Sequence, residues 1–218
     1  MEKYTSREPM TFMKRVENFW YYHKLKVFVG ILILCMVLVA VHSCNNRQSV
    51  DMYVLYMLNG PYSSDTNEEL ARKMEQYVDD LDGDGEKRVQ IITISFSEIL
   101  ARTDRGQEAA LSKLIGQIAS GPALFYMFDE ENYQALKNAK VEIFDQIDQI
   151  VPTNQYVEPY RFNATEAGFF EGVLGFEDSE DKLYFGLRDS SKIESGDSRY
   201  NQIAQSKNTL KRIVEAYN

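Results

Sequence analysis

The chain has two cysteines and two histidines in 218 residues, and Cys35, Cys44, His23 and His42 all lie before residue 45. Residues 48–218 therefore offer no disulfide framework and no thiol nucleophile. Neither a Cys/His zinc site nor a serine, histidine and acid triad can be built there. The phosphate-cradling loops G-x-x-x-x-G-K and G-x-G-x-x-G are absent too, which leaves nucleotide binding without support. No basic stripe with interleaved aromatics occurs, nor any internal repeat or low-complexity run. What remains open is chemistry that uses carboxylates, Lys or Tyr, and binding.

Charge divides the chain. Of 24 Lys and Arg and 33 Asp and Glu, residues 1–47 hold 7 basic and 3 acidic side chains, leaving 17 basic against 30 acidic for residues 48–218. The large part is thus strongly acidic and repels phosphate backbones, which argues against a nucleic-acid partner.

Between these parts, "VFVGILILCMVLVAV" (27–41) is uncharged. With snorkelling Lys26 and the tolerant Ser43 and Cys44 it approaches the roughly 17 residues that a transmembrane helix needs. "FWYY" (19–22) suits an interfacial aromatic belt, and Lys14, Arg15, Lys24 and Lys26 put the N-terminus in the cytoplasm by the positive-inside rule. The expected layout is a cytoplasmic segment 1–26, a transmembrane helix 27–44, a linker 45–49 and an extracytoplasmic α/β domain 50–218. Two rival readings stay open: "VHSC" faintly resembles a lipobox, with Cys44 as the lipid-bearing residue, and the same run could be a buried core helix.

Past the linker the period changes. "VDMYVLYML" (50–58), "VQIITISF" (89–96) and "ALFYMF" (123–128) are apolar, β-branched or aromatic runs of strand length. Amphipathic helices separate them: one from 63 to 81 with Leu70, Met74, Tyr77, Val78 and Leu81 on one face, a second ending at Gly121, and a short third in "DEENYQALKNA". Alternation in units of about thirty residues predicts a three-layer α/β domain with a mainly parallel sheet, order 2-1-3 at its core. Residues 52–57, 90–95 and 123–128 are expected to be centre strands buried on both faces. "VEPYRFNATEAGFFEGVLGFEDSEDK" has no clear period, "LYFGLRD" reads as a strand, and "YNQIAQSKNTLKRIVEAYN" as a closing helix. Asn163 heads a three-residue glycosylation match of little weight.

The succession "DMYVLYMLNG", helix, "VQIITISF", "KLIGQIASGPA" and "LFYMFDEENYQALKNA" resembles the first lobe of bacterial extracellular solute-binding proteins that serve ABC importers, over about residues 50–150. It also resembles small anchored proteins that carry one such lobe behind a membrane helix. The resemblance implies a periplasmic-binding-protein-like lobe and a small-solute or membrane-protein partner. About 170 residues hold one lobe, whereas a clamp for solute needs two and a hinge.

An open α/β sheet places its ligand beyond the carboxyl ends of its strands. Those ends point to Asn59, Tyr62, Ser63, Phe96, Ser97, Asp129 and Glu130 as tentative ligand-binding residues, with aromatic rings to stack and acids to pair with a cation or hydroxyls. The same acids serve equally as helix caps. "DLDGDG" sets Asp80, Asp82 and Asp84 at the first, third and fifth places of a calcium loop, while Lys87 and Ile91 stand where an apolar residue and a bidentate acid belong. The loop is expected to be a turn first and a Ca²⁺ site second. No spacing singles out a pair of carboxylates, so no catalytic residue is assigned. The chain is read as a non-enzyme, with a carboxylate-dependent hydrolase as the third alternative behind a binding domain and a docking component.

Overall fold

The computed structural model describes residues 12–45, 49–58, 63–95, 112, 115–138, 143–176, 182–191, 193–197 and 199–218. It divides into two compact units, Met1–Gln48 and Ser49–Asn218.

The described part of the first unit is one helix, α1 (Phe12–Asn45), 34 residues long. Within it Phe19–Val39, 21 residues of mean hydropathy 2.0, is long and apolar enough to cross a membrane or to serve as a signal sequence, and none of it is buried. At 1.5 Å per residue that run spans roughly 31 Å, close to a hydrocarbon core of about 30 Å. The apolar window starts earlier than the expected Val27: the strongly apolar run 27–39 keeps the mean high although the window also takes in the ring residues 19–22 and Lys24 and Lys26.

The second unit is α/β, built on a six-stranded sheet of order β2-β1-β3-β6-β5-β4. Its strands are β1 (Met52–Leu58), β2 (Val89–Ser95), β3 (Phe125–Asp129), β4 (Val157–Glu158), β5 (Arg161–Asn163) and β6 (Leu183–Leu187). β1 pairs in parallel with β2 and β3, in register Met52 with Val89 and Val54 with Phe125. The remaining pairings, β3 with β6, β6 with β5 and β5 with β4, are antiparallel. The sheet is therefore mixed, which corrects the expectation of a mainly parallel one: the parallel order 2-1-3 forms its first half, and the strand expected in "LYFGLRD", with two short strands from chain that has no readable period, supplies an antiparallel second half.

Alternation along the strands divides the core between the two faces. Val54, Tyr56, Phe125, Met127 and Phe185 pack on one face with Leu70 and Met74 of α2 (Ser64–Glu75) and with Leu210, Ile213 and Val214 of α4 (Tyr200–Ala216). Leu55, Met57, Tyr126, Phe128 and Tyr184 pack on the other with Leu136 of α3 (Glu130–Asn138) and Ile118 of the helical segment 115–120. Each such side chain contributes about 1.5–3 kcal/mol by leaving water. Gly186 makes room on this second face: a Cβ there would lie 2.9 Å from the Phe128 ring.

Two further expectations are corrected. β2 is an edge strand, with Gln90 and Thr93 exposed, and not a centre strand covered on both faces. α2 stops at Glu75 instead of running to residue 81, and Leu81 is exposed. Contacts with α4 replace the last turns: Arg212 forks onto the Asp79 carboxylate at 2.9 Å on both oxygens, and the Gln205 amide donates to the Asp79 carbonyl at 2.7 Å.

Candidate functional site

At the carboxyl ends of the parallel strands, Asn59, Tyr62, Phe96 and Ser97 lie outside the described residues. The other three expected residues are placed, and each serves the fold. Ser63 caps α2, its hydroxyl accepting the Thr66 N–H at 3.2 Å. Asp129 ends β3 and accepts the Asn132 N–H at 2.7 Å, so it caps α3. Asn132 is itself buried and donates to the Met57 carbonyl at 3.3 Å, which ties the start of α3 to the end of β1. Glu130 accepts from Gln134 at 2.7 Å and pairs with Arg161.

Arg161 is the centre of a cluster that the sequence did not announce. Its guanidinium lies 4.0 Å from the Tyr184 ring centroid and 4.5 Å from that of Tyr133, and its Nε donates to Glu158 at 2.7 Å. Arg161 thus joins β5 to α3 across β6, with its side chain 12% exposed. Burial pushes the Glu130 carboxyl up, but the hydrogen bonds from Gln134 and Arg161 outweigh it and hold the group below the usual range. Burial raises both tyrosines, against the pull of the cation. The charges answer one another: a cation between two rings and two carboxylates is neutralised where it sits. The sequence signal was slight, an arginine between two aromatics, Tyr160 and Phe162, in a stretch without period.

A pair of arginines closes the helical segment 115–120. Arg188 donates to the Gly121 carbonyl at 3.2 Å and also to those of Ile118 and Ala119, and Arg199 donates to Ala119 at 3.1 Å. Cations at a helix C-terminus meet both the orphan carbonyls and the dipole. Asp197, which holds Arg199 at 2.8 Å, sits well below the usual carboxylate range through that contact and the Arg199 N–H. Beside Arg188, a cavity of about 10 Å³ lined by Leu124, Leu187, Ser190, Ile203, Ser206 and Lys207 has room for one water.

The acidic loop is closed by its own backbone. Asp80 accepts the Gly83 N–H at 2.7 Å and the Gly85 N–H at 2.8 Å, and both glycines have positive φ, 74° and 87°. Asp82 accepts from Asp84 at 3.0 Å and also bonds the Ser49 hydroxyl. Asp84 accepts from Glu86 at 2.8 Å and pairs with Arg88 at 2.5 Å. Asp51, which the sequence reading passed over, is buried beneath the loop and accepts the Leu81 and Arg88 N–H groups, each at 2.8 Å.

Carboxylate oxygens of Asp51, Asp80 and Asp82 lie within 4.8 Å of one another. That falls short of a calcium loop. Asp84 is spent on Arg88, Lys87 is exposed, and Ile91, at the place of the bidentate acid, is half-buried in β2 against the core. Each bonded oxygen keeps a second lone pair, so the three carboxylates can meet a cation weakly, without the ligand number that confers affinity. Asn163, head of the glycosylation match, is buried and accepts the Glu166 N–H at 3.1 Å.

No protein-family model, curated protein or solved structure matches the chain.

Proposed function

We propose that the chain is a single-pass, membrane-anchored protein of a bacterial surface whose acidic α/β domain lies outside the cell and acts by binding or interaction. The observation that carries this reading is the sequence of parts: an apolar helical run, Phe19–Val39, with a basic N-terminal flank, followed directly by a strongly acidic folded unit. Between capture of a solute and docking to another protein, the geometry favours docking. Ser63, Asp129 and Glu130 are committed to caps and to the Arg161 pair, so the described part of the strand-end crevice offers a solute few unspent polar groups. The likeness to one lobe of a solute-binding protein supports the small-solute alternative, for which Asn59, Tyr62, Phe96 and Ser97 are the remaining residues.

Protease added to intact protoplasts should digest the domain from residue 49 onward, and protection would reverse the orientation. Metabolic lipid labelling that disappears in Cys44→Ser would replace the helix by a lipid anchor. For the choice of partner, a thermal-shift screen of small solutes is decisive, because a ligand that binds the folded state raises its stability by mass action. A shift abolished by Tyr62→Ala or Phe96→Ala would establish the solute reading over docking.

A further inference from the structure

In "FMKRVENFW" (12–20), ahead of the long apolar run of α1, the apolar residues Phe12, Met13, Val16, Phe19 and Trp20 recur at helical spacing. The four residues between them, Lys14, Arg15, Glu17 and Asn18, are charged or polar. The five apolar residues share one side of the helix, and each is 49% to 79% exposed. The His23 ring, 4.9 Å from that of Phe19, extends this side by a turn. By the same spacing Lys24 and Lys26, both exposed, fall at its two borders. Residues 12–26 carry Lys14, Arg15, Lys24 and Lys26 against Glu17 alone. The preceding "MEKYTSREPMT" balances two basic against two acidic side chains and holds no apolar run long enough to cover the face.

We propose that this side of α1 docks on the anionic lipid headgroups of the leaflet from which the span starts, the helix leaning so that the five apolar side chains enter the boundary between headgroups and acyl chains. Continuity and charge select the occupant. One uninterrupted helix joins the face to the run Phe19–Val39, so the surface that this run enters lies within reach of the whole face. Headgroups occupy roughly 5–7 Å on each side of the hydrocarbon core, whereas Phe12 stands roughly 10 Å before Phe19 along the helix. Upright, the helix would leave Phe12 and Met13 in water; leaning, it buries them beside Val16 and Trp20. A zwitterionic surface takes the rings but attracts the cations weakly, while an anionic one draws each of them, so that basic borders and apolar face act together. A second copy on this face would oppose like charges and displace lipid from Val16, Phe19 and Trp20. The inference rests on the membrane-anchor reading and adds to it a choice of lipid.

Trp20 is the one tryptophan of the chain, so its fluorescence reports on the face directly. The full chain is reconstituted into vesicles of phosphatidylcholine and phosphatidylglycerol in equal parts, with bromine near the head of the acyl chains of one lipid or of the other. Brominated phosphatidylglycerol should quench Trp20 about two-fold more than brominated phosphatidylcholine. Molar salt should remove the excess, and Lys14→Gln with Arg15→Gln should reduce it. Phe12→Gln with Met13→Gln keeps the charges but removes the outer end of the face, and should make Trp20 about two-fold more accessible to acrylamide. Equal quenching by the two lipids overturns the proposal, as does acrylamide access unchanged in the Phe12 and Met13 variant. Quenching that both lipids lose as the protein-to-lipid ratio rises would put a second copy on the face and overturns it too. Carbonate extraction from membranes reports the anchor separately: a resistant chain quenched equally sinks the lipid choice alone, and a released chain that still prefers the anionic lipid sinks the anchor alone.

Discussion

The two halves of the sheet build their core by opposite means. In β1 and β3 nearly every residue is buried, and the helices that follow them in sequence cover the faces. In the other half the strands have two, three and five residues, and rings do the packing. Phe185 of β6 lies 4.8 Å from Phe169, 5.2 Å from Phe125 and 5.8 Å from Phe170, centroid to centroid. The first half is held by regular repetition and the second by a few large side chains brought from distant turns. Loss of one ring should therefore matter more in the second half than loss of one aliphatic residue in the first.

The largest expected effect follows directly. Phe185→Ala removes a fully buried ring that touches both halves and should cost about 3–5 kcal/mol in urea denaturation. Ile92→Ala, on the half-buried edge strand β2, should cost clearly less. A single unfolding transition seen alike by far-ultraviolet dichroism and tyrosine fluorescence is expected in both variants. Two separate transitions in Phe185→Ala would show that the halves fold as independent units.

The next effect concerns the turn-rich segment 164–176, which α2 holds by three contacts. Glu69 accepts the Leu174 N–H at 2.7 Å, Lys73 donates to the Glu171 carbonyl at 2.8 Å, and Gly175, at φ 85°, would place a Cβ 2.7 Å from the Thr66 hydroxyl. Gly175→Ala should cost about 1–3 kcal/mol from the clash and the left-handed backbone together. Thr66→Ala should return part of that cost by removing the clashing oxygen, and a penalty unchanged in the double variant would mean that backbone strain alone is responsible.

The same contrast explains what the sequence disclosed. β1 and β3 were legible because seven- and five-residue runs without polar alternation have few other places to go, and α4 because its apolar face repeats over four turns. β4 and β5 are too short to show a period of two, so their pairing depends on contacts made far along the chain, such as Arg161 between Tyr133 and Tyr184. The edge position of β2 is likewise a property of the whole sheet. At the candidate sites, Ser63 and Asp129 were named as ligand residues, Asp129 alternatively as a cap, and local geometry made both of them caps. Asp51 escaped notice because a lone acid before a strand has no local signature; its function depends on residues 30 and 37 places away.

Acid should act on both halves through carboxylates whose folded pKa lies below its ordinary value. The bonds from Arg88 and the Glu86 N–H lower Asp84, those from the Gly85 and Gly83 N–H groups lower Asp80, and Arg199 lowers Asp197. A depressed folded value means that the stabilisation is fully present above the unfolded pKa, near 4, and disappears as pH falls through the folded values. The urea midpoint should thus be flat from about pH 7 to 5 and fall below about pH 4. Asp197→Asn should flatten the acid end of that curve at the arginine cap, and Asp80→Asn at the loop. A midpoint already falling at pH 6 would assign the pH dependence to other groups.

The smallest expected effect separates a turn from a metal site. Asp82 is the loop carboxylate that departs in the other direction: the Asp84 N–H draws its pKa down, but desolvation, Asp80 and the charges of Asp84 and Asp51 raise it above the ordinary value. A raised acid is one whose ionisation its surroundings resist, so Asp82→Ala should be neutral or slightly stabilising near pH 7 if the loop is a turn closed by N–H groups. If the three carboxylates chelate Ca²⁺, millimolar Ca²⁺ should raise the melting temperature well beyond the effect of Mg²⁺, with a midpoint on the order of 10⁻⁴ to 10⁻³ M, and Asp82→Ala should abolish the difference. The committed oxygens of Asp80, Asp51 and Asp84 predict the first outcome: Mg²⁺ and Ca²⁺ should act alike, as divalent ions screening an acidic surface, and the Asp82 variant should respond as the native chain does. Gly85→Val should destabilise under either ion, because the positive φ that lets the Gly85 N–H reach Asp80 is needed whether or not a cation binds.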